Sequence, residues 1–94
     1  MPTQFNPPHP GEVLQEYIEG HSVSEVARHL GIDRTTLSRL LHGKSDLSAD
    51  MALRLEAALR TSASMWLGMQ RDYDLWQARQ QKRPTIKPFE QLAA

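Results

Sequence analysis

Residues 22–44 read SVSEVARHLGIDRTTLSRLLHGK, and the spacing of their apolar positions decides the fold. Ser22 followed three positions later by Glu25 is a capping box, in which each side chain satisfies a backbone N–H that a first helical turn leaves without a partner. A helix therefore starts here, with Val23, Val26, Ala27 and Leu30 as its apolar stripe, and Gly31 stands where a left-handed residue closes a helix. Asp33 caps a second helix running through Leu41. Its apolar face is Leu37, Leu40 and Leu41, its other face carries Arg34, Thr35, Ser38, Arg39 and His42, and Gly43 stops it.

Two short helices joined by a glycine turn, the second with a polar outer face, make a helix-turn-helix. Ala27 is small enough to let the helices cross closely, and Val26, Leu30, Ile32, Leu37 and Leu40 supply the surface that locks the pair onto other helices. Short side chains at the start of the second helix allow its N-terminal end into a DNA major groove. There such a helix reads base edges from its first turns while its neighbour crosses the backbone.

Upstream, Pro10 fits a first helical position. Val13, Leu14, Tyr17 and Ile18 form an apolar face opposite Glu12, Glu16 and Glu19, and Gly20 ends this helix. Residues 1–9, with Pro7 and Pro8, are expected to run extended over the surface, with His9 as a turn or cap residue. Downstream, Ser48 caps a helix with Met51, Ala52, Leu55 and Leu59 inward. Ser62 or Ser64 caps a fifth, which carries Trp66, Met69, Tyr73 and Trp76 at steps of three and four. From QQKRPTIKPFEQLAA at 80–94 the pattern decays, because Pro84 and Pro88 forbid a continued helix. No segment alternates apolar and polar residues as a strand requires. The expected organisation is all-α: an arm over 1–9, a helical domain over 10–80 and a polar tail over 81–94.

The 94 residues carry 11 Lys plus Arg against 11 Asp plus Glu, with no Cys. Disulfides, thiolate nucleophiles and cysteine zinc sites are excluded. A chain this short buries only about 60–65% of its unfolded surface, so self-association is an expected source of stability. The start MPTQFNPPHP lacks the basic and apolar regions of a signal peptide, which predicts a cytoplasmic location. The zero net charge conceals an uneven distribution. Residues 1–27 hold four Glu and no Lys or Arg, whereas 28–44 hold Arg28, Arg34, Arg39 and Lys44 against Asp33 alone. His9, His21, His29 and His42 are scattered without partners at ligand spacing, and no glycine-rich phosphate loop or nucleophile elbow is present, so neither a metal, a cofactor nor an enzymatic activity is expected.

Residues 10–70 resemble the five-helix DNA-binding domain of phage repressors and their bacterial relatives. NPPHPGEVLQE at 6–16, VARHLGI at 26–32, SRLLHGK at 38–44 and SMWLGMQRDYDLWQARQ at 64–80 narrow the resemblance to the HigA group of antitoxins from toxin–antitoxin modules. The resemblance implies a protein that dimerises, binds a palindromic operator, represses its own operon and neutralises a HigB-like, RNA-cleaving toxin. It places Arg34, Thr35 and Arg39 at base edges, with Thr36 and Ser38 beside them, and an arginine there can pair bidentately with guanine. Ser22, His42 and Lys44 match phosphate-contacting positions. Val23 stands where phage relatives carry a polar residue, and offers no hydrogen bond.

Other readings of the same residues stay open. Arg34, Arg39 and Lys44 also suit a solvated basic face. Trp66 is read as core, while Tyr73 and Trp76, beyond the minimal five-helix frame, are read as a dimer or partner contact. The functional alternatives are a stand-alone repressor without a toxin and a protein-interaction adaptor that kept the fold but lost DNA binding.

Overall fold

The computed structural model describes residues 6–90. Among them are five helices and no strand: α1 Pro10–Tyr17, α2 Val23–Leu30, α3 Arg34–Leu41, α4 Ala49–Leu59 and α5 Ala63–Arg79. The capping chemistry sets their starts. Ser22, Asp33, Ser48 and Ser62 each turn a side-chain oxygen to a backbone N–H of the first turn, so Ser62 rather than Ser64 begins α5.

Glycine sets the ends of the two central helices. Gly31 (φ 73°) and Gly43 (φ 70°) lie in the left-handed region. Ile32 N–H donates to the Ala27 carbonyl and Gly31 N–H to that of Arg28; Lys44 and Gly43 repeat the pattern onto Arg39 and Leu40. These paired bonds satisfy the last carbonyls of each helix and turn the chain sharply. α4 closes instead on Arg60 at φ 57°, a left-handed position held by a residue with a Cβ.

One core runs through the molecule. Leu14, Ala27, Leu37, Leu40, Leu47, Ala52, Leu55 and Trp66 are all buried within it, and Val13, Val23, Val26, Ile32, Leu59 and Met69 close its edges. A fully buried leucine or tryptophan contributes about 2–3 kcal/mol through the area it removes from water. Trp66 can be buried completely because its indole Nε1 donates to Thr61 Oγ1 at 2.7 Å.

The segment before α1 departs from the surface course expected for residues 1–9. Pro7 and His9 are buried. His9 Nδ1 accepts from Gly11 N–H at 2.9 Å, capping α1, and its ring stands edge-on to Tyr73 with centroids 4.9 Å apart. A cap residue that also fills a space between helices cannot lie on the surface. Residues 1–5 of the expected arm and 91–94 of the expected tail lie outside the described residues, while residues 80–90 are exposed throughout.

α1 and α3 approach each other backbone to backbone. Gly11 is buried where α1 passes the end of α3, and a Cβ on it would overlap the Leu40 carbonyl oxygen and press on its carbon. Nearby, Gln15 Nε2 donates to the Leu41 carbonyl at 2.6 Å. A side chain at position 11 would force the helices apart, so Gly11→Ala is expected to destabilise the fold by about 1–3 kcal/mol in urea denaturation. An unchanged midpoint would contradict the close approach.

Candidate nucleic-acid interface

The inner face of α3 is fixed by Leu37, Leu40 and Leu41, all buried. With a helical period of about 3.6 residues, Arg34, Thr35, Thr36 and Arg39 must then face outward, and each is exposed; Ser38 is half-buried at the edge. The residues expected to touch base edges thus share one element and its solvent side. His42 and Lys44, at the C-terminal end of the same helix, are exposed as well.

Each arginine on this face is already engaged. Arg34 Nε donates to Ser24 Oγ at 3.0 Å, laying its guanidinium along the outer side of α2. Arg39 Nη2 donates to the Lys44 carbonyl at 3.1 Å, folding back over the turn that follows α3. Both bonds use exposed groups, so exchanging them for bonds to a base or a phosphate costs little desolvation. His42 Nδ1 lies 2.8 Å from the Ser38 carbonyl and therefore carries the proton that joins them, which leaves Nε2 as the outward ring nitrogen.

The helix starts are less open to an anion than the caps alone suggest. Asp33 Oδ2 accepts from Thr35 N–H at 3.1 Å. Ser22 Oγ accepts from Glu25 N–H at 3.0 Å, while Ser22 N–H donates to Glu25 Oε1 at 3.3 Å. The capping box places a carboxylate at the start of α2. A phosphate contact by Ser22 would use its hydroxyl proton, which now lies toward the same Glu25 oxygen at 3.5 Å.

Three polar residues that sequence reasoning passed over hold the interface in place. Arg54 on α4 donates through Nη1 to the Leu30 carbonyl at 2.7 Å and to that of Gly31 at 3.3 Å, and its Nε is tied to Asp50 at 2.8 Å. It clamps the turn between α2 and α3 from behind. Gln70, buried in α5, accepts from Leu47 N–H at 2.7 Å and donates to Asp46 and Asp74, fixing the loop after α3. Ser24 receives Arg34. Their hydrophilicity marks them as surface in any periodicity argument, and only the fold reveals what they bond to.

Tyr73 and Trp76 are half-buried and lie together, with ring centroids 6.4 Å apart. Tyr73 packs on His9 of its own chain, so part of the ring expected at a partner contact is used within the molecule. The two rings face a groove bounded by the segment before α1 and by the end of α3. Among the described residues no group of His, Asp or Glu is arranged to hold a metal ion.

Arg54→Ala removes the donor to two turn carbonyls and is expected to cost about 1 kcal/mol in urea denaturation, with enhanced amide exchange in residues 31–33. Unchanged exchange there would show that the turn does not depend on the clamp.

A helix-turn-helix family model matches residues 14–66. Antitoxin HigA-1 of Vibrio cholerae serotype O1 is 35% identical over 93 residues, covering 93% of this chain and 88% of that protein. An uncharacterised helix-turn-helix-type transcriptional regulator of Escherichia coli K12, YddM, is 40% identical over 75 residues, or 78% of this chain and 80% of its own. Among solved structures, antitoxin GraA in complex with its operator superposes with a TM-score of 0.76 at 35% identity, covering 92% of this chain and 99% of that one.

Proposed function

The chain belongs to the helix-turn-helix family and within it to the HigA-type antitoxins, and from that premise we propose that it binds the operator of its own operon and neutralises a toxin encoded beside it. The observation that carries this reading is the outer face of α3: Arg34, Thr35, Thr36 and Arg39 exposed on a helix whose other side is held by three buried leucines. The family is one of DNA-binding regulators and antitoxins rather than of enzymes.

In this reading α3 enters the major groove. Arg34 leaves Ser24 and Arg39 leaves the Lys44 carbonyl to reach base edges, with Thr35, Thr36 and Ser38 beside them. Ser22, His42 and Lys44 grip the phosphates on either side and set the orientation of the helix. Two copies related by a two-fold axis present two such helices about 34 Å apart, one DNA turn, and the operator is correspondingly palindromic. The structure of GraA in complex with its operator supports the mode of binding, and the HigA kinship supports a HigB-like toxin as protein partner. A DNA target places the protein in the cytoplasm; no helix among the described residues is long and apolar enough to cross a membrane.

Zero net charge does not oppose this reading. The acidic residues of 1–27 balance the sum, while 28–44, which build the DNA-facing surface, are basic.

Arg34→Ala and Arg39→Ala are each expected to weaken operator binding by about 1–3 kcal/mol and to relax discrimination at one base position. Lys44→Ala is expected to weaken binding to all sequences alike and to lower the salt slope by about one. Fluorescence anisotropy on operator and scrambled duplexes checks both, and an equal loss on the two duplexes for the arginine variants would remove them from base reading. For the toxin, co-expression with the small adjacent gene is expected to yield a complex and to relieve growth arrest. Arrest that the protein cannot relieve would leave a repressor without a toxin.

A further inference from the structure

Between residues 28 and 50 the chain has three carboxylates, Asp33, Asp46 and Asp50, and each accepts a hydrogen bond from its own molecule. Asp33 is held by a backbone N–H of α3 and Asp50 by Arg54, one turn along the same helix. Asp46 is held differently. Its Oδ1 accepts at 3.3 Å from Gln70 Nε2, a neutral donor on α5.

Gln70 is 6% exposed, and every polar group of its amide is in use. Oε1 accepts from the N–H of buried Leu47 at 2.7 Å, which leaves the two Nε2 hydrogens for Asp46 and, at 2.9 Å, for Asp74. The position therefore demands an acceptor toward Leu47 and a donor toward two aspartates. A glutamate keeps the first bond, loses the other two and sets a third negative charge beside Asp46 and Asp74. A lysine or arginine answers the aspartates and leaves a buried N–H without a partner.

Asp46 lies two residues beyond Lys44, on the loop proposed to grip phosphate. A carboxylate free to turn outward there would oppose the phosphates that Lys44 attracts. We propose that Gln70 is a positioning residue for DNA binding, drawing the Asp46 carboxylate back toward α5 and so keeping the phosphate side of this loop free of negative charge. The proposal rests on the DNA-binding reading above and adds to it a side chain that touches neither base nor phosphate. What Gln70 positions is a charge as well as a loop, and the two effects separate by experiment.

The test is fluorescence anisotropy of the full chain on operator and scrambled duplexes. Gln70→Glu is expected to weaken binding to both by the same factor, about tenfold, and to lower the salt slope by about one. Asp46→Asn alone is expected to change binding little, because the carboxylate it removes is already turned away. Combined with Gln70→Glu it exchanges donor and acceptor across the same pair, and is expected to restore affinity and slope together. Gln70→Met, which releases Asp46 without adding a charge, keeps the test readable if three neighbouring carboxylates unfold the chain; its slope is expected to fall and to be restored by Asp46→Asn in the same way. Urea denaturation shows which variants are folded. A folded Gln70→Glu chain that binds as the wild type does, a loss that Asp46→Asn fails to recover, or an equal gain from Asp46→Asn with and without Gln70 overturns the proposal and leaves the DNA-binding reading intact. A wild-type chain that binds neither duplex overturns both.

Discussion

The passage of α1 across the end of α3, backbone against backbone at Gly11 and Leu40, is the constraint on which the rest of the structure depends. It brings Leu14 against the core that takes up Leu37 and Leu40, and it places Gln15 within reach of the Leu41 carbonyl. Once α3 is seated in this way, its rotation about its own axis is settled, and the direction in which Arg34 and Arg39 point follows from helical geometry. His9 secures the approach from the other side by capping α1 and packing on Tyr73. A short motif at the start of the chain thus determines how a helix over twenty residues later is presented to solvent.

The rest of the frame holds the turn between α2 and α3. Gly31 and its two backbone bonds shape that turn, Arg54 fastens it from α4, and Gln70 ties the loop after α3 to α5. None of these groups faces the proposed DNA surface. A substitution at any of them would therefore act on recognition through the placing of α3, not through a lost contact. The outer face, by contrast, is built from side chains whose hydrogen bonds are exposed and exchangeable, as a surface must be if it is to leave its own partners for those of a ligand.

Most of the fold was legible in the sequence because it is written in local signals. The Ser22–Glu25 capping box, the glycines at 31 and 43 and the leucine spacing of α3 each act within about one helical turn, and the helices they predict are those found. Ser62 rather than Ser64 caps α5, two residues after the left-handed Arg60 that closes α4, and spacing alone does not separate the two serines. The burial of Pro7 and His9 was not legible, since proline-rich segments read as surface and the partner of His9 lies more than sixty residues away. Gln70 and Arg54 were missed for a related reason: their burial and bonding depend on carbonyls and amides brought near by distant elements. The outward face of α3 could be read from periodicity, but the use of Arg34 and Arg39 within the free chain could not.

Sequence-specific DNA binding is the property that the proposed role of α3 requires. Fluorescence anisotropy with the duplex immediately upstream of the gene, at two salt concentrations and with scrambled duplex as competitor, tests it most directly. Tight binding that weakens with salt and survives excess competitor is expected. Equal binding to upstream and scrambled DNA, with and without the toxin, would contradict it and leave a helix-turn-helix that serves protein contacts alone.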